Sequence, residues 1–177
     1  TNKIIGTAIE NHADAYAALM GRRFHPWEGG EGKVVGQYVV SLVEAARALL
    51  ADGQPAQAAE LLERATVYPH NLGEGKLPNA QENNIYYDLG LALRAQGRHS
   101  DATAAFERAA AGSSEPVSAL YYNDQPPDMI FYQGLASRQL GRDAEAAAIF
   151  QRLVDYGRAH LEDEVTMDYF AVSLPTF

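Results

Sequence analysis

A repeat with a fixed step of 44 residues constrains this chain more than any other feature. Gly53, Gly97 and Gly141 align at that step, as do Ala58, Ala102 and Ala146, and Leu62, Phe106 and Phe150. Small residues recur at Ala46, Gly90 and Gly134, and apolar ones at Ala65, Ala109 and Leu153. Gap-free columns at one spacing mark a repeated supersecondary unit that cannot bury its apolar face alone.

Each column has a physical role. Small residues at Ala46, Gly90 and Gly134 let two helices approach closely. The glycines at 53, 97 and 141 end a first helix, because glycine enters the left-handed conformation without a Cβ penalty. The Ala, Leu/Phe and Ala/Leu columns then place apolar groups at i, i+4 and i+7, one face of a second helix. The spacing predicts first helices at 36–52, 81–96 and 126–140, and partners at 55–67, 99–111 and 143–157. Residues 8–21 read as a further helix. The tail predicts a capping helix at 158–170, with Leu161, Val165 and Tyr169 four apart.

The pattern of a small residue, Gly seven positions on, then Ala, an apolar residue and Ala resembles the tetratricopeptide repeat over about residues 36–155. The step exceeds the usual period of about 34 residues, and the additional residues lie between the hairpins. The resemblance implies an all-α fold: a right-handed α-α superhelix, or tetratricopeptide-like solenoid, of three helix pairs with extra flanking helices. The pairs fall at 36–67, 81–111 and 126–157 of a single helical-repeat domain covering 1–177. Phe24 to Val34, Tyr68 to Asn84 and Tyr121 to Pro127 are similar to the repeat region of large, mostly bacterial proteins. Those proteins join a sugar-mutarotase-like β-domain to tetratricopeptide repeats. That similarity implies a carbohydrate-related parent with this segment as helper, and supplies no catalytic residue.

Two linkers also repeat. Pro26 to Val34 and Pro69 to Leu77 share Pro-x-x-x-Gly-Glu-Gly-Lys followed by an apolar residue. A phosphate loop would need a preceding strand and Ser or Thr after the Lys, whereas Val34 and Leu77 stand there. The remaining readings are a structured turn and a lip where Glu31, Lys33, Glu74 and Lys76 meet a ligand. Trp27, beside Pro26, is a loop staple or a sugar platform.

Composition narrows the partners. The net charge of −9 argues against a nucleic-acid backbone. With no cysteine, disulfides and thiolate metal sites are excluded. No apolar run approaches the roughly 18–20 residues of a membrane span, and a cytoplasmic location is the expectation. The five histidines are scattered, with no metal-ligand spacing, and no nucleophile sits beside a base, so neither metal, cofactor nor catalysis is expected. Glu162-Asp163-Glu164 reads as a solvated helix face. The missing initiator Met and the ending at Phe177 set the expectation of a segment of a longer protein.

In tetratricopeptide proteins the first helix of each pair lines the concave surface. By that resemblance the face comprises Gln37, Val40, Val43, Arg47 and Leu50; Gln81, Asn84, Tyr87, Leu91 and Arg94; and Gln125, Asp128, Phe131, Leu135 and Arg138, its polar and aromatic members being the candidate ligand contacts. Gln37, Gln81 and Gln125 would form a ladder with rungs about 8–10 Å apart, roughly three extended residues per rung. Glutamine offers donor and acceptor to a peptide backbone or to sugar hydroxyls, and Tyr87 and Phe131 offer flat apolar faces. The alternative is that the glutamines serve free backbone groups at helix starts. The expected function is a non-catalytic scaffold for a peptide segment or a neighbouring domain. A carbohydrate-binding helper and an architectural or dimerisation module are the rivals.

Overall fold

A computed structural model of the chain describes residues 12–26, 30–117 and 125–163. Residues 12–20 are helical (α1). There follow α2 (Lys33–Ala51), α3 (Pro55–Ala65), a 3-10 turn at His70–Leu72, α4 (Asn83–Ala95), α5 (His99–Ala110), α6 (Pro127–Gln139) and α7 (Asp143–Ala159). No strand occurs among the described residues, as the periodicity predicts. The chain divides into two compact units, Thr1–Pro78 with Asp88–Ala102, and Asn79–Tyr87 with Thr103–Phe177.

The glycine column performs the role assigned to it. Gly53, Gly97 and Gly141 have φ of 74°, 76° and 76°. In each turn the next residue donates its N–H to the carbonyl five residues back: Gln54 to Leu49 at 2.8 Å, Arg98 to Leu93 at 3.0 Å, Arg142 to Ser137 at 2.9 Å. The glycine N–H itself bonds Leu50, Arg94 or Arg138 at 3.1, 2.9 and 3.1 Å. These paired bonds close the last turn of α2, α4 and α6 and satisfy carbonyls that a helix end leaves open. Gln54, Arg98 and Arg142 then offer their own carbonyls to Ala58, Ala102 and Ala146. One residue thus ends one helix and starts the next.

In the first unit, α2 contributes the buried Tyr38, Leu42, Ala46 and Leu49, and α3 the buried Ala58, Leu62 and Ala65. The Tyr38 hydroxyl donates to the Arg64 carbonyl at 3.1 Å, and burial pushes its pKa above the usual phenol value. In the second unit the core includes Ile85, Phe106, Ala109, Ile130, Ala136, Ala146 and Ile149. Gly134 is there because α7 crosses it. A Cβ at Gly134 would lie 2.5 Å from Phe150 Cε1.

Three expectations need correcting. α2 begins at Lys33, not 36, because Gly32 turns left-handed at φ 73°, accepts the Gly36 N–H at 2.7 Å, and lets Val34 and Val35 join the core. α2 also spans 19 residues and is apolar enough by length and composition to cross a membrane, contrary to the sequence expectation, and half of that stretch is buried in the fold. The start of the expected capping helix at 158 is continuous with α7, which ends at Ala159 and gives way to a turn. Residues 164–170, Trp27 and Tyr121 to Asp124 lie outside the described residues.

Candidate functional site

The face expected from α2, α4 and α6 divides by environment. The glutamine column does not share one. Gln37 is exposed in the second turn of α2, and its side chain donates to Ser41 Oγ at 3.3 Å. Gln81 is half-buried and precedes α4. Gln125 is buried, precedes α6, and donates to Asn83 Oδ1 at 2.9 Å. The earlier start of α2 explains the mismatch, since it carries Gln37 into the helix while its counterparts stay outside. A side chain buried as Gln125 is, with its amide already bonded, is withdrawn from any exposed face.

Arg47 is likewise committed. Its guanidinium meets Asp88 at 2.7 Å and Glu44 at 2.6 Å. The Asp88 side chain is 7% exposed, and burial raises its pKa despite the attraction of Arg47, with Glu44 pushing the same way. The pair therefore ties α2 to α4 inside the first unit. In that unit Arg94 is exposed near the end of α4.

The second unit keeps a coherent set. Asp128, Phe131 and Arg138 are exposed on α6, with Leu135 between them. Offsets of three, four and seven residues place all four on one side of the helix. Phe131 is 45% exposed, a large apolar ring at the surface. It is held edge-on to Tyr132 at 5.8 Å and against Phe150 at 5.7 Å. Tyr132 in turn meets Tyr87 at 5.8 Å, and Tyr87 meets Phe106 at 6.0 Å. Tyr87 and Phe131, both expected on the face, are thus joined through Tyr132. Asn84 is half-buried one turn before Asp88. Ring pairs at such distances add roughly 0.5–1.5 kcal/mol each beyond area burial, so the exposed ring stands on a fixed support.

Sequence reasoning missed an amide clamp beneath that face. Asn83 Nδ2 donates to the carbonyls of Ala109 at 2.8 Å and Ala111 at 2.9 Å. Gln133 Nε2 donates to Ala111 at 2.9 Å and Ser113 at 3.1 Å. Between them Gly112, at φ 108°, leaves room where a Cβ would meet Gln125 and Gln133 at 3.0 Å. The available signal was Gln133, which stands at the 44-residue step from Ala45 and Leu89. A polar residue in an apolar column points to a buried partner.

The glycine loops also resolve, all within the first unit. Phe24 N–H donates to the Asn71 carbonyl at 2.8 Å, and Asn71 Nδ2 donates to Leu19 and Arg22 at 3.1 and 2.9 Å. Glu74 accepts the Gly32 N–H at 2.7 Å, and Lys76 Nζ donates to the Thr66 carbonyl at 2.8 Å. Gly73, at φ 82°, lies so close to Phe24 that a Cβ would sit 2.6 Å from its carbonyl oxygen. Glu74 and Lys76 thus brace the loops. No group of three or more metal-ligating side chains occurs among the described residues.

The repeat in the sequence has a counterpart among known families. A tetratricopeptide repeat model matches residues 43–116 and again 87–160, together covering more than half of the chain. This chain belongs to the tetratricopeptide repeat family. The second match starts and ends 44 residues after the first, the same step as the glycine column. The fold is accordingly all-α and of the tetratricopeptide type. Tetratricopeptide repeats generally mediate protein–protein interaction, and the family is typically non-catalytic. No solved structure matches the chain.

Proposed function

We propose that this chain is a non-catalytic interaction scaffold whose α6 face, within the second unit, receives a peptide segment of a partner or of a neighbouring domain. The observation that carries the reading is Phe131, 45% exposed and held by Tyr132 and Phe150, with Asp128 and Arg138 exposed on the same helix face. A fixed aromatic ring costs little side-chain entropy when a partner covers it, and rings and arginines dominate binding hot spots. The opposite charges at Asp128 and Arg138 fit a segment that carries an apolar anchor between residues of both signs. Binding would bury Phe131 and leave the charges at a solvated rim, where they set orientation more than affinity.

A peptide library selected on the whole chain tests this. Selected peptides should share an apolar anchor. They should lose roughly thirtyfold in affinity, about 2 kcal/mol, on Phe131→Ala, with a smaller loss on Arg138→Ala. Peptides that bind both variants as tightly as wild type would place the contact elsewhere. The carbohydrate-helper reading rests on the same exposed ring, because a flat aromatic face also stacks on a sugar. An oligosaccharide panel that binds wild type but not Phe131→Ala, with no peptide selected, would favour it.

A further inference from the structure

We propose that the cleft between the two glycine loops is a binding site for a small ligand bearing an oxyanion, a carboxylate or a phosphate, held by Arg23, His25 and His70. The cleft has a volume of about 460 Å³, within the roughly 300–1,000 Å³ of small-molecule sites. Its lining includes Arg23, Phe24, His25, Tyr68, His70 and Glu74. In a chain of net charge −9, Arg23, His25 and His70 all line this cleft, and Glu74 is its one acidic lining residue. That carboxylate is engaged, since Glu74 Oε2 already accepts the Gly32 N–H at 2.7 Å.

The loop architecture accounts for several of these residues and not for Arg23, His25 and His70. Asn71, Gly73 and Glu74 hold the loops together through the contacts to Leu19, Arg22, Phe24 and Gly32. None of those bracing bonds uses the side chain of Arg23, His25 or His70, and all three residues are exposed. The guanidinium presents a fork of N–H donors that matches two oxygens of a carboxylate or phosphate, and each imidazole can add a ring N–H. Phe24 and Tyr68 supply apolar walls for the carbon skeleton of such a ligand. The Phe24–Asn71 backbone bond and the Asn71 and Glu74 side-chain bonds hold residues 19–24 and Gly32 to residues 71–74, so these walls of the cleft are in place before a ligand arrives. The site lies in the first unit and is independent of the α6 face.

Amide and imidazole NMR resonances of the whole chain, titrated with inorganic phosphate and separately with acetate, test the site. Expected are saturable shifts confined to residues 22–26 and 68–75, weakened about tenfold or more in Arg23→Gln with His70→Gln. The ligand-free resonances of Leu72 and Gly73 should be unchanged in that variant, which shows the loops intact. If the variant disturbs them, Arg23→Lys alone, which keeps the charge and loses the fork, should weaken binding in the same direction. A peptide with a free C-terminus, compared with its amidated form, distinguishes a chain-terminal carboxylate from a free metabolite anion as the source. Unmoved resonances, shifts that stay linear in anion concentration, or variants that bind as wild type would each overturn the assignment.

Discussion

At Gly134 a single hydrogen decides how close two helices come. The Phe150 ring occupies the space of the missing Cβ, 2.5 Å from where it would be. At the equivalent positions of the repeat the first hairpin carries Ala46 and Leu62, both fully buried. A larger residue on one helix thus goes with a smaller one on the other. Gly134→Ala should therefore displace the Phe150 ring from Phe131 and cost about 1–3 kcal/mol, as overpacking does. Adding Phe150→Leu, which recreates the first hairpin's combination, should recover part of that loss. A double-mutant cycle on urea unfolding reads the coupling; strictly additive effects would mean the two positions do not compete for space.

The Arg47–Asp88 pair makes a second prediction at this scale. Burial raises the Asp88 pKa, so the folded chain holds this proton over a pH window in which the unfolded chain has released it. Stability from this group is greatest below the ordinary carboxylate value and falls as pH rises through the raised one. Wild type should accordingly lose stability relative to Asp88→Asn, which cannot titrate, as pH climbs through that window. Arg47→Ala should be the costlier change at neutral pH, by roughly 1–3 kcal/mol, because it leaves a buried carboxylate without its cation. Melting temperatures of the three proteins against pH check both statements.

Among the elements, the turns separate two uses of glycine. Gly141 has φ of 76° and nothing within 4 Å of the point where a methyl group would stand, so Gly141→Ala should cost only the left-handed conformation, about 1–2 kcal/mol. Gly73 combines φ of 82° with the Phe24 carbonyl oxygen 2.6 Å from where a Cβ would stand. Gly73→Ala should cost clearly more, since the loops must part and with them the Phe24–Asn71 bond at 2.8 Å. Thermal unfolding of the two variants side by side gives the ranking, and equal losses would show that the loops yield freely. Helix starts behave differently: α3 and α7 open without a side-chain cap, and in α3 Pro55 at the first position has no N–H to satisfy.

For the molecule as a whole, the far-ultraviolet circular dichroism spectrum should be dominated by helix, with minima near the usual helical positions and no appreciable sheet. The basis is the run of helices over the described residues and their Ala-rich composition. A substantial β contribution would contradict the fold. The exposed ion pairs, Arg98 with Asp101 at 2.7 Å and Arg142 with Glu107, add little at this scale. Surface pairs contribute about 0–1 kcal/mol each, so the buried apolar columns carry the stability.

The sequence by itself determined the helix pairs. Local physics suffices for that: a glycine that must turn left-handed, a small residue opposite a large one, and apolar groups at helical spacing all repeat at 44 residues. The same column logic failed for Gln37, Gln81 and Gln125, because sequence register does not fix environment. A helix that starts a turn earlier at Gly32 exposes one glutamine, while Asn83 draws another into a buried amide clamp. Only tertiary structure decided that Arg47 is bound to Asp88, that Glu74 braces a loop, and that Tyr87 and Phe131 belong to one ring cluster. Polar side chains choose partners across long sequence separations, and the distances that settle the choice exist only once the helices have packed.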